Sequence, residues 1–159
     1  MDSPEIDHVA KAKEILANIR YVTIATASKM AEPWGTPVLA VFDEQYNCYW
    51  TSMNNTQHSH NIQENPRVFL TCFDSTVLPG EGGGVYMEAQ AMEMTDFTEI
   101  TGAAELLYAR KNKPVRNAEE FLGDSLKRMY KAAPKKFWIT LDEDAKNDPL
   151  KAKQEINLP

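Results

Sequence analysis

The sequence predicts a mainly β protein, a small and largely antiparallel barrel with helices at its ends. Three features lead to this class: strand-like runs dominate the middle of the 159-residue chain, short turn-like segments join most of them, and helical patterns lie mainly outside this region. A doubly wound sheet would need strands that alternate with crossover helices. The predicted order is instead helix, three strands, short helix, two strands, helices and strand, which favours an antiparallel barrel.

The first part of the chain combines one helix with a three-stranded meander. Residues 1–20 are predicted to form the N-terminal helix, because apolar side chains recur there at helical spacing: Ile6, Val9, Ala12, Ile15, Leu16 and Ile19. Residues 21–27, which are rich in β-branched side chains, form the first predicted strand. Residues 36–42 and 48–52 form the next two, and Pro37 gives the second an edge position or an irregular start.

Three further strands are predicted in the second part of the chain. Residues 68–73 are almost wholly apolar, so this strand is expected to be buried on both of its faces. Residues 85–94 form the longest predicted strand, in which successive side chains point to opposite faces. Residues 136–141 form the last one. These strands complete the barrel.

Two predicted helices and a tail complete the domain. Asp96 with Glu99 forms a capping box for a helix that ends near residue 111, and Asn117 with Glu120 begins a shorter helix. The segment 142–159 is charged and lacks aromatic residues, so it is expected to lie on the surface. The chain is therefore predicted to form one domain over its whole length.

Composition and charge restrict the functional classes. The formal net charge is −6, which argues against nonspecific binding of nucleic acid or of an anionic membrane. The sequence has neither an apolar run long enough to cross a bilayer nor a signal-peptide pattern at its start. Cys48 and Cys72 both lie in strand-like runs, so they are interpreted as reduced, packed thiols of a cytoplasmic protein.

The stretch from Tyr49 to Val68 is the most informative part of the sequence for function. A strand ends here at two hydroxyl side chains, Thr51 and Ser52, and a short helix begins after Thr56 as its N-cap. The free N–H groups and the dipole of such a first helical turn suit a phosphate. An ordinary polar crossover between two strands would give the same pattern, so both interpretations stay open at this point.

Other candidate motifs carry less information. The glycine cluster at 80–84 lacks the residues of a nucleotide-binding loop and is interpreted as a hairpin-type loop. His58 and His60 are two positions apart on a predicted helix and therefore point to different sides, which does not suit a metal pair. No catalytic triad or carboxylate pair stands out, so no catalytic residue and no metal ligand is assigned.

Several blocks of the sequence, in matching order and spacing, resemble one known family. They are IRYVTIATA, PWGTPVLAVFDEQYNCYWTS, QHSHNIQENPRV, FDSTVLPGEGGGVYMEAQA and a final Phe137-Trp138, within about residues 10 to 141. The sequence resembles the FMN-binding split-barrel family related to pyridoxamine 5'-phosphate oxidase, in its small and mostly uncharacterised branch. The most specific feature is the hydroxyl-bearing strand end followed by a short helix that stops at Asn-Pro-Arg-Val.

The resemblance implies a six-stranded antiparallel split β-barrel that forms a homodimer, with one FMN in each of two grooves between the subunits. It implies that the second strand lies along the flavin ring, that the strand end 50–52 contacts ring and ribityl chain, and that the first turn of the short helix holds the phosphate. It also implies an aromatic side chain that approaches from the partner subunit. The residues at these positions are Thr36, Val38, Trp50, Thr51, Ser52, Gln57, His58, Ser59, Asn61 (one turn further on) and Trp138.

The sequence also departs from the larger oxidases of this family. They place Arg-Lys where this chain has Gln57-His58, so FMN is expected to bind more weakly here, and less tightly still as pH rises and His58 loses its charge. They use a lysine where this chain has Ala40, and an Arg-Leu-His segment that does not follow Trp138 here. Pyridoxamine phosphate oxidase activity is therefore not expected.

The resemblance implies an FMN-dependent oxidoreductase that acts on a small molecule with a separate electron donor or acceptor. The flavin would carry the electrons, while the protein would orient and tune it. Two alternatives remain: a non-catalytic flavin-binding or storage dimer, and a split-barrel relative that binds deazaflavin or haem. No nucleic-acid or membrane partner is expected.

Overall fold

The computed structural model describes residues 7–147 and 153–159. Its helices are α1 (His8–Asn18), α2 (Gln57–Glu64), α3 (Phe97–Lys111) and α4 (Asp142–Asn147), with a 3₁₀ helix at Ala118–Phe121. Its strands are β1 (Tyr21–Ala27), β2 (Pro33–Leu39), β3 (Val41–Phe42), β4 (Cys48–Met53), β5 (Arg67–Phe73), β6 (Gly83–Glu93), β7 (Lys127–Leu141) and β8 (Gln154–Ile156). Within the described residues, no helix is long and apolar enough to cross a membrane.

All strands belong to one curled antiparallel sheet. Its order is β2-β1-β5-β6-β7-β4-β3, and β8 pairs with β7. The predicted fold class, mainly β with a split antiparallel barrel and peripheral helices, is confirmed. The strand count differs slightly, because the two-residue β3 continues the path of β2 and the three-residue β8 is added to β7. The six longer strands form the predicted barrel.

The barrel interior is one hydrophobic core, built from alternate residues of each strand. Val22 and Ile24 on β1, Leu70 on β5, and Val85 and Met87 on β6 are fully buried there. Such alternation follows from the two-residue period of a strand. The prediction that residues 68–73 are buried on both faces was wrong: Phe69 and Thr71 lie on the outer face and are half-buried. An apolar run in the sequence can belong to a strand that is buried on both faces or to one whose outer face carries an aromatic side chain, and the run alone does not distinguish them.

A second core joins α3 to the outer face of the barrel. Tyr49 and Met129, on the paired strands β4 and β7, pack there among residues of α3 and the 3₁₀ helix, namely Ile100, Ala103, Ala104, Leu107, Tyr108, Ala118 and Phe121. The helix begins at the predicted N-cap, since Asp96 Oδ1 accepts a hydrogen bond of 2.8 Å from the Glu99 amide. Only this half of the predicted Asp96–Glu99 capping box is formed, because the Glu99 carboxylate lies 2.6 Å from Lys131 Nζ instead. The predicted capping box of Asn117 and Glu120 is present with both of its bonds.

The two ends of the domain differ in part from the sequence interpretation. Residues 1–6 of the predicted N-terminal helix lie outside the described residues; α1 has Asp7 as its N-cap, with Oδ1 3.0 Å from the Ala10 amide. The segment 142–159, expected to lie on the surface, instead contributes α4 and β8. Ile156 is buried against the barrel core, because β8 extends the sheet beside β7.

The last long strand is much longer than predicted, since β7 begins at Lys127 and not near residue 136. The strand contains Pro134, a residue that cannot donate a main-chain hydrogen bond to a sheet. The register with β6 shifts between Glu88 and Ala89, opposite this proline. A bulge accommodates a residue that cannot donate to the sheet, so the strand continues through it.

Two glycine substitutions are predicted to have opposite effects on stability. A Cβ at Gly83 would lie 2.7 Å from Leu141 Cδ2 and 3.1 Å from the main-chain oxygen of Thr140, so Gly83→Ala should lower the free energy of unfolding by about 1–3 kcal/mol. A Cβ at Gly102, within α3, would meet nothing within 4 Å. Gly102→Ala should therefore raise the free energy of unfolding by about 0.5–1 kcal/mol. Urea unfolding of both variants tests these two predictions. Changes of the same sign in the free energy of unfolding would contradict the packing described for the two glycines.

Candidate functional site

The barrel is split between β2 and β4. These strands are in contact but are not hydrogen-bonded to each other. β2 is the last strand at one end of the sheet, and β4 lies near the other end, where it pairs with β7. The helix α2 connects β4 to β5 and contacts β1, β2 and β6 near this split. The predicted residues from 36 to 61 therefore lie on three elements that meet here. An edge strand leaves a row of main-chain N–H and C=O groups available to a planar polar ligand.

The side chains at the end of β4 alternate between the barrel interior and its outside. Trp50 is 0% exposed and stacks on Tyr130 with a centroid distance of 5.5 Å and an interplanar angle of 15°. A ligand contact by Trp50, which stays a prediction, would therefore have to come from its main chain. Thr51 and Ser52 are half-buried and remain accessible. Thr36 is also half-buried, whereas the Val38 side chain packs in the core.

Most polar side chains in the first turn of α2 already have hydrogen-bond partners within the protein. Thr56 is the N-cap, with Oγ1 3.4 Å from the Ser59 amide, and Ser59 Oγ donates a 2.9 Å hydrogen bond to the Met53 carbonyl. The Ser59 hydroxyl is therefore committed to joining β4 to α2. In the described part of the chain, the main-chain N–H groups of Gln57 and His58 have no acceptor. These two donors are what the turn offers to an anion.

His58 does not fit the predicted role of a pH-dependent cation. Its side chain is only 4% exposed, and burial lowers its pKa. Its Nε2 lies 3.3 Å from Thr56 Oγ1, within the turn itself. A lowered pKa favours the neutral imidazole at pH 7, which argues against a charged His58, and the fall of FMN affinity with pH stays a prediction.

Asn61 ties α2 to the two strands on one side of the split. Its Nδ2 donates a 2.9 Å hydrogen bond to Thr26 Oγ1, and Thr26 in turn donates to the Trp34 carbonyl at 3.3 Å. The Gln57 side chain donates to Asn61 Oδ1 at 2.9 Å. Asn61 and Thr26 are buried, so this chain of bonds fixes the position of the α2 turn relative to β1 and β2.

Asn61→Ala is expected to lower the free energy of unfolding by about 1–3 kcal/mol, because it removes the hydrogen bond that the buried Thr26 hydroxyl accepts and the one that Gln57 donates. Gln63→Ala, at an exposed position of the same helix, is the control and should have little effect. Chemical denaturation provides the measurement. Equal stabilities for the two variants would contradict this assignment of Asn61.

Sequence reasoning missed one residue of this region, Lys111. The last residue of α3 brings its Nζ to 3.4 Å from Thr51 Oγ1, sixty positions away in the chain. Burial lowers the pKa of Lys111, and the nearby charges of Lys127, Lys113 and Arg116 lower it further. No local sequence pattern could have found this contact, because it depends on how α3 packs across the outer face of β4.

Lys111 also lines a cavity of about 680 Å³, which we call the basic pocket. It is lined by Arg20, Tyr21, Leu39, Tyr108, Arg110, Lys111, Lys113, Pro114, Val115, Arg116, Glu120 and Lys127. Leu39 is the last residue of β2, so the pocket adjoins the split strand. A cavity of about 770 Å³ lies between α1 and the loop at 74–83, and none of the predicted site residues lines it.

Trp138 lies apart from the other predicted residues within one chain. It pairs with Tyr86 of β6 and lies 5.9 Å from the Phe69 ring on the outer face, with Lys153 Nζ 5.3 Å from its own ring. Met129, which pairs with Thr51, is nine positions earlier on β7. Since a strand rises about 3.3 Å per residue, this is a separation of roughly 30 Å. A contact from the partner subunit stays a prediction.

Neither metals nor thiols add chemistry to the described residues. No group of three or more His, Cys, Asp or Glu side chains among them is arranged to hold a metal. Cys48 and Cys72 are free thiols inside the barrel. Burial raises the pKa of Cys48 well above its usual value and that of Cys72 to about 12, so both thiols stay protonated.

Comparisons with known proteins agree with this architecture. Residues 9–141 match the family model described as pyridoxamine 5'-phosphate oxidase. A search of curated proteins gave no match. Similar solved structures include ChuZ from Campylobacter jejuni (TM-score 0.74, 12% identity, 98% of this chain and 61% of that chain). A heme-binding protein from Mycobacterium smegmatis (0.69, 15%, 87% and 55%) and an F420 reductase (0.60, 17%, 85% and 98%) are also similar.

At these identities the likeness concerns the fold alone. This chain spans 61% and 55% of the length of the first two of these proteins, which is less than two thirds. These similar proteins include a heme-binding protein and an F420 reductase, so they do not single out one ligand.

Proposed function

Because the chain belongs to the pyridoxamine 5'-phosphate oxidase family, we propose that it is an FMN-binding oxidoreductase that acts on a small molecule. The observation that carries this proposal is the split between β2 and β4, with α2 beside it. We propose that the main-chain groups of β2, the hydroxyls of Thr51 and Ser52, and Lys111 line one groove at this split. These are the groups that a flavin ring, a ribityl chain and a phosphate require.

The donor set of the groove fits a phosphorylated flavin. Residues 33–38 of β2 have a free strand edge for the polar rim of a planar ring. Thr51 and Ser52 offer hydroxyls to a sugar-like chain, and the free N–H groups of Gln57 and His58 lie at the positive end of α2. Lys111 supplies the permanent positive charge that the α2 motif lacks.

Bound flavin supplies hydride or single-electron chemistry, so the protein's own residues need only bind, orient and exclude water. Asn61 holds α2 against β1, which keeps the two free N–H groups in place. Lys111 keeps a positive charge beside Thr51. No protein acid, base or nucleophile is needed for this role, and we assign no catalytic residue.

A second subunit is part of the proposal. Tyr21 at the start of β1 and Trp34 near the start of β2 are 60% and 50% exposed, and they lie at opposite ends of this strand pair because Tyr21 pairs with Leu39 and Trp34 with Thr26. Each is a large apolar side chain that a partner could cover. We propose that a second copy of the chain covers them and brings its Trp138 toward the flavin. Light scattering should then give twice the 18.0 kDa chain mass.

Pyridoxamine phosphate oxidation is not the proposed reaction. The position at which the larger oxidases carry a lysine is here Ala40, which is buried in the barrel core. The segment after β7 forms α4, an acidic helix that begins Asp142-Glu143-Asp144, in place of the basic substrate-binding segment of those oxidases. We therefore propose a different small-molecule substrate.

The chromophore released from purified, denatured protein tests the function. We expect FMN, a flavin absorbance spectrum in the native protein, and bleaching of that spectrum by a nicotinamide cofactor or another reductant. Haem or a deazaflavin in its place would overturn the FMN assignment. Bound FMN that no donor reduces would favour the non-catalytic flavin-binding dimer.

A further inference from the structure

We propose that the basic pocket is a phosphate-binding site whose central residue is Lys111. Its place in catalysis rests on the proposed function, but its existence does not. Two sources of phosphate fit the same chemistry: the tail of the flavin itself, and a second phosphorylated small molecule that serves as substrate or electron donor.

The charge of the pocket is opposite to that of the chain. The chain has a net charge of −6, yet six basic residues and a single carboxylate line the pocket. That carboxylate, Glu120, lies 2.6 Å from Arg116. Arg110 donates to the carbonyls of Ala17 and Ile19, at the end of α1. These two arginines are therefore already engaged.

The remaining four cations form no salt bridge with a carboxylate in the described part of the chain, although Lys127 is close enough to Glu120 to help lower the pKa of that carboxyl. They are Arg20, Lys111, Lys113 and Lys127. Lys111 and Lys127 are half-buried, and their aromatic contacts compensate only in part: Lys111 Nζ is 4.7 Å from the Tyr108 centroid and Lys127 Nζ is 5.9 Å from that of Phe121. Like charges held together without counterions cost free energy that a bound anion would offset.

The pocket adjoins the flavin groove through two contacts. Leu39 at the end of β2 lines it, and Lys111 Nζ reaches Thr51 Oγ1 on β4. The α2 turn offers main-chain N–H groups but no charged side chain, because His58 is buried and its pKa is lowered. A dianionic group bound beside Thr51 would therefore meet the Lys111 ammonium of α3, whereas α2 offers it no charged side chain.

The first experiment compares FMN with riboflavin, which lacks the phosphate. Lys111→Ala should weaken FMN binding about 10- to 100-fold, the loss expected for one charge-assisted hydrogen bond, and leave riboflavin binding unchanged. Lys111→Arg should retain most of the FMN affinity. Lys29→Ala, which removes an exposed lysine outside the pocket, controls for the change in net charge and should alter neither ligand.

The second experiment titrates inorganic pyrophosphate by calorimetry into protein saturated with riboflavin and into protein saturated with FMN. Binding that requires Lys111 and occurs only with riboflavin would identify the flavin tail as the occupant. Binding that requires Lys111 and occurs with both would identify a second phosphorylated ligand. If Lys111→Ala changes neither pyrophosphate binding nor the preference for FMN, the pocket is not a phosphate site.

These measurements separate the pocket from the proposed function. Pyrophosphate binding that depends on Lys111, in a protein that takes up no flavin, would support the pocket and overturn the flavin proposal. Tight FMN binding that is equal in the wild type and Lys111→Ala, without any pyrophosphate binding, would support the flavin proposal and overturn the phosphate site in the pocket.

Discussion

Trp50→Ala is expected to lower the free energy of unfolding by about 3–5 kcal/mol, which is a large part of the stability of a domain of this size. Trp50 is fully buried at the centre of the barrel and stacks on Tyr130, its direct partner across β4 and β7. Truncation would leave a cavity between strands and remove an aromatic pair. Urea unfolding provides the measurement.

Trp50→Phe is the matched control. In the described structure Trp50 Nε1 is buried without a hydrogen-bond partner, which carries a desolvation cost of about 1–3 kcal/mol. Phenylalanine removes this donor and keeps an aromatic face on Tyr130, at the cost of some lost volume. Its stability should remain within about 1.5 kcal/mol of the wild type. A loss as large as that of Trp50→Ala would contradict the interpretation that shape, not the indole N–H, matters here.

Thr51→Trp is expected to weaken binding of both FMN and riboflavin by more than about 100-fold, because a bulky side chain would fill the groove at the position that Lys111 approaches. The effect should be large for both flavins, since the block concerns the shared ring and ribityl chain, and at least as large for FMN, whose proposed phosphate contact with Lys111 would also be disturbed. Fluorescence quenching of the free flavin gives the affinities.

Thr51→Val keeps the shape of the side chain and removes only the hydroxyl. It should weaken flavin binding by about 10-fold, the value of one hydrogen bond. This variant keeps the experiment decisive if the tryptophan variant does not fold. Flavin affinities of both variants equal to that of the wild type would place the ligand elsewhere.

Local patterns in the sequence predicted those features that depend on neighbouring residues. Thr56 and Asp96 were identified as N-caps, and each accepts a hydrogen bond from the amide three positions on. These bonds close within one helical turn, so the chain encodes them without knowledge of the fold. The strand segments that make the barrel were found for the same reason, through the two-residue period of buried positions.

Features that depend on distant contacts were not predicted. Lys111 meets Thr51 only because α3 packs on the outer face of β4, and β8 joins the sheet because the end of the chain lies beside Phe137, Trp138 and Ile139 of β7. The alternation of β4 could have separated Trp50 from Thr51, since neighbouring residues of a strand face opposite sides. The family resemblance assigned Trp50 and Thr51 to one contact because they are adjacent in the chain. In the structure their side chains lie on opposite faces of β4.

The burial of His58 is another result of tertiary structure. From the sequence it occupies the first turn of a polar helix and offers a charge that depends on pH. In the structure it is 4% exposed, with its ring nitrogen beside Thr56. The positive charge of the site is instead carried by α3, from a part of the sequence whose Lys-Asn-Lys run has the composition of an ordinary helix end.

Hydrogen exchange of the purified protein with and without FMN tests most directly whether the flavin lies in the split of the barrel. We expect slower exchange on FMN binding along residues 33–39 of β2 and at the α2 turn, residues 57–58, where the free strand edge and free N–H groups lie. Protection confined to the loop at 74–83, beside the cavity next to α1, would contradict the account, as would unchanged exchange at β2 in protein saturated with FMN.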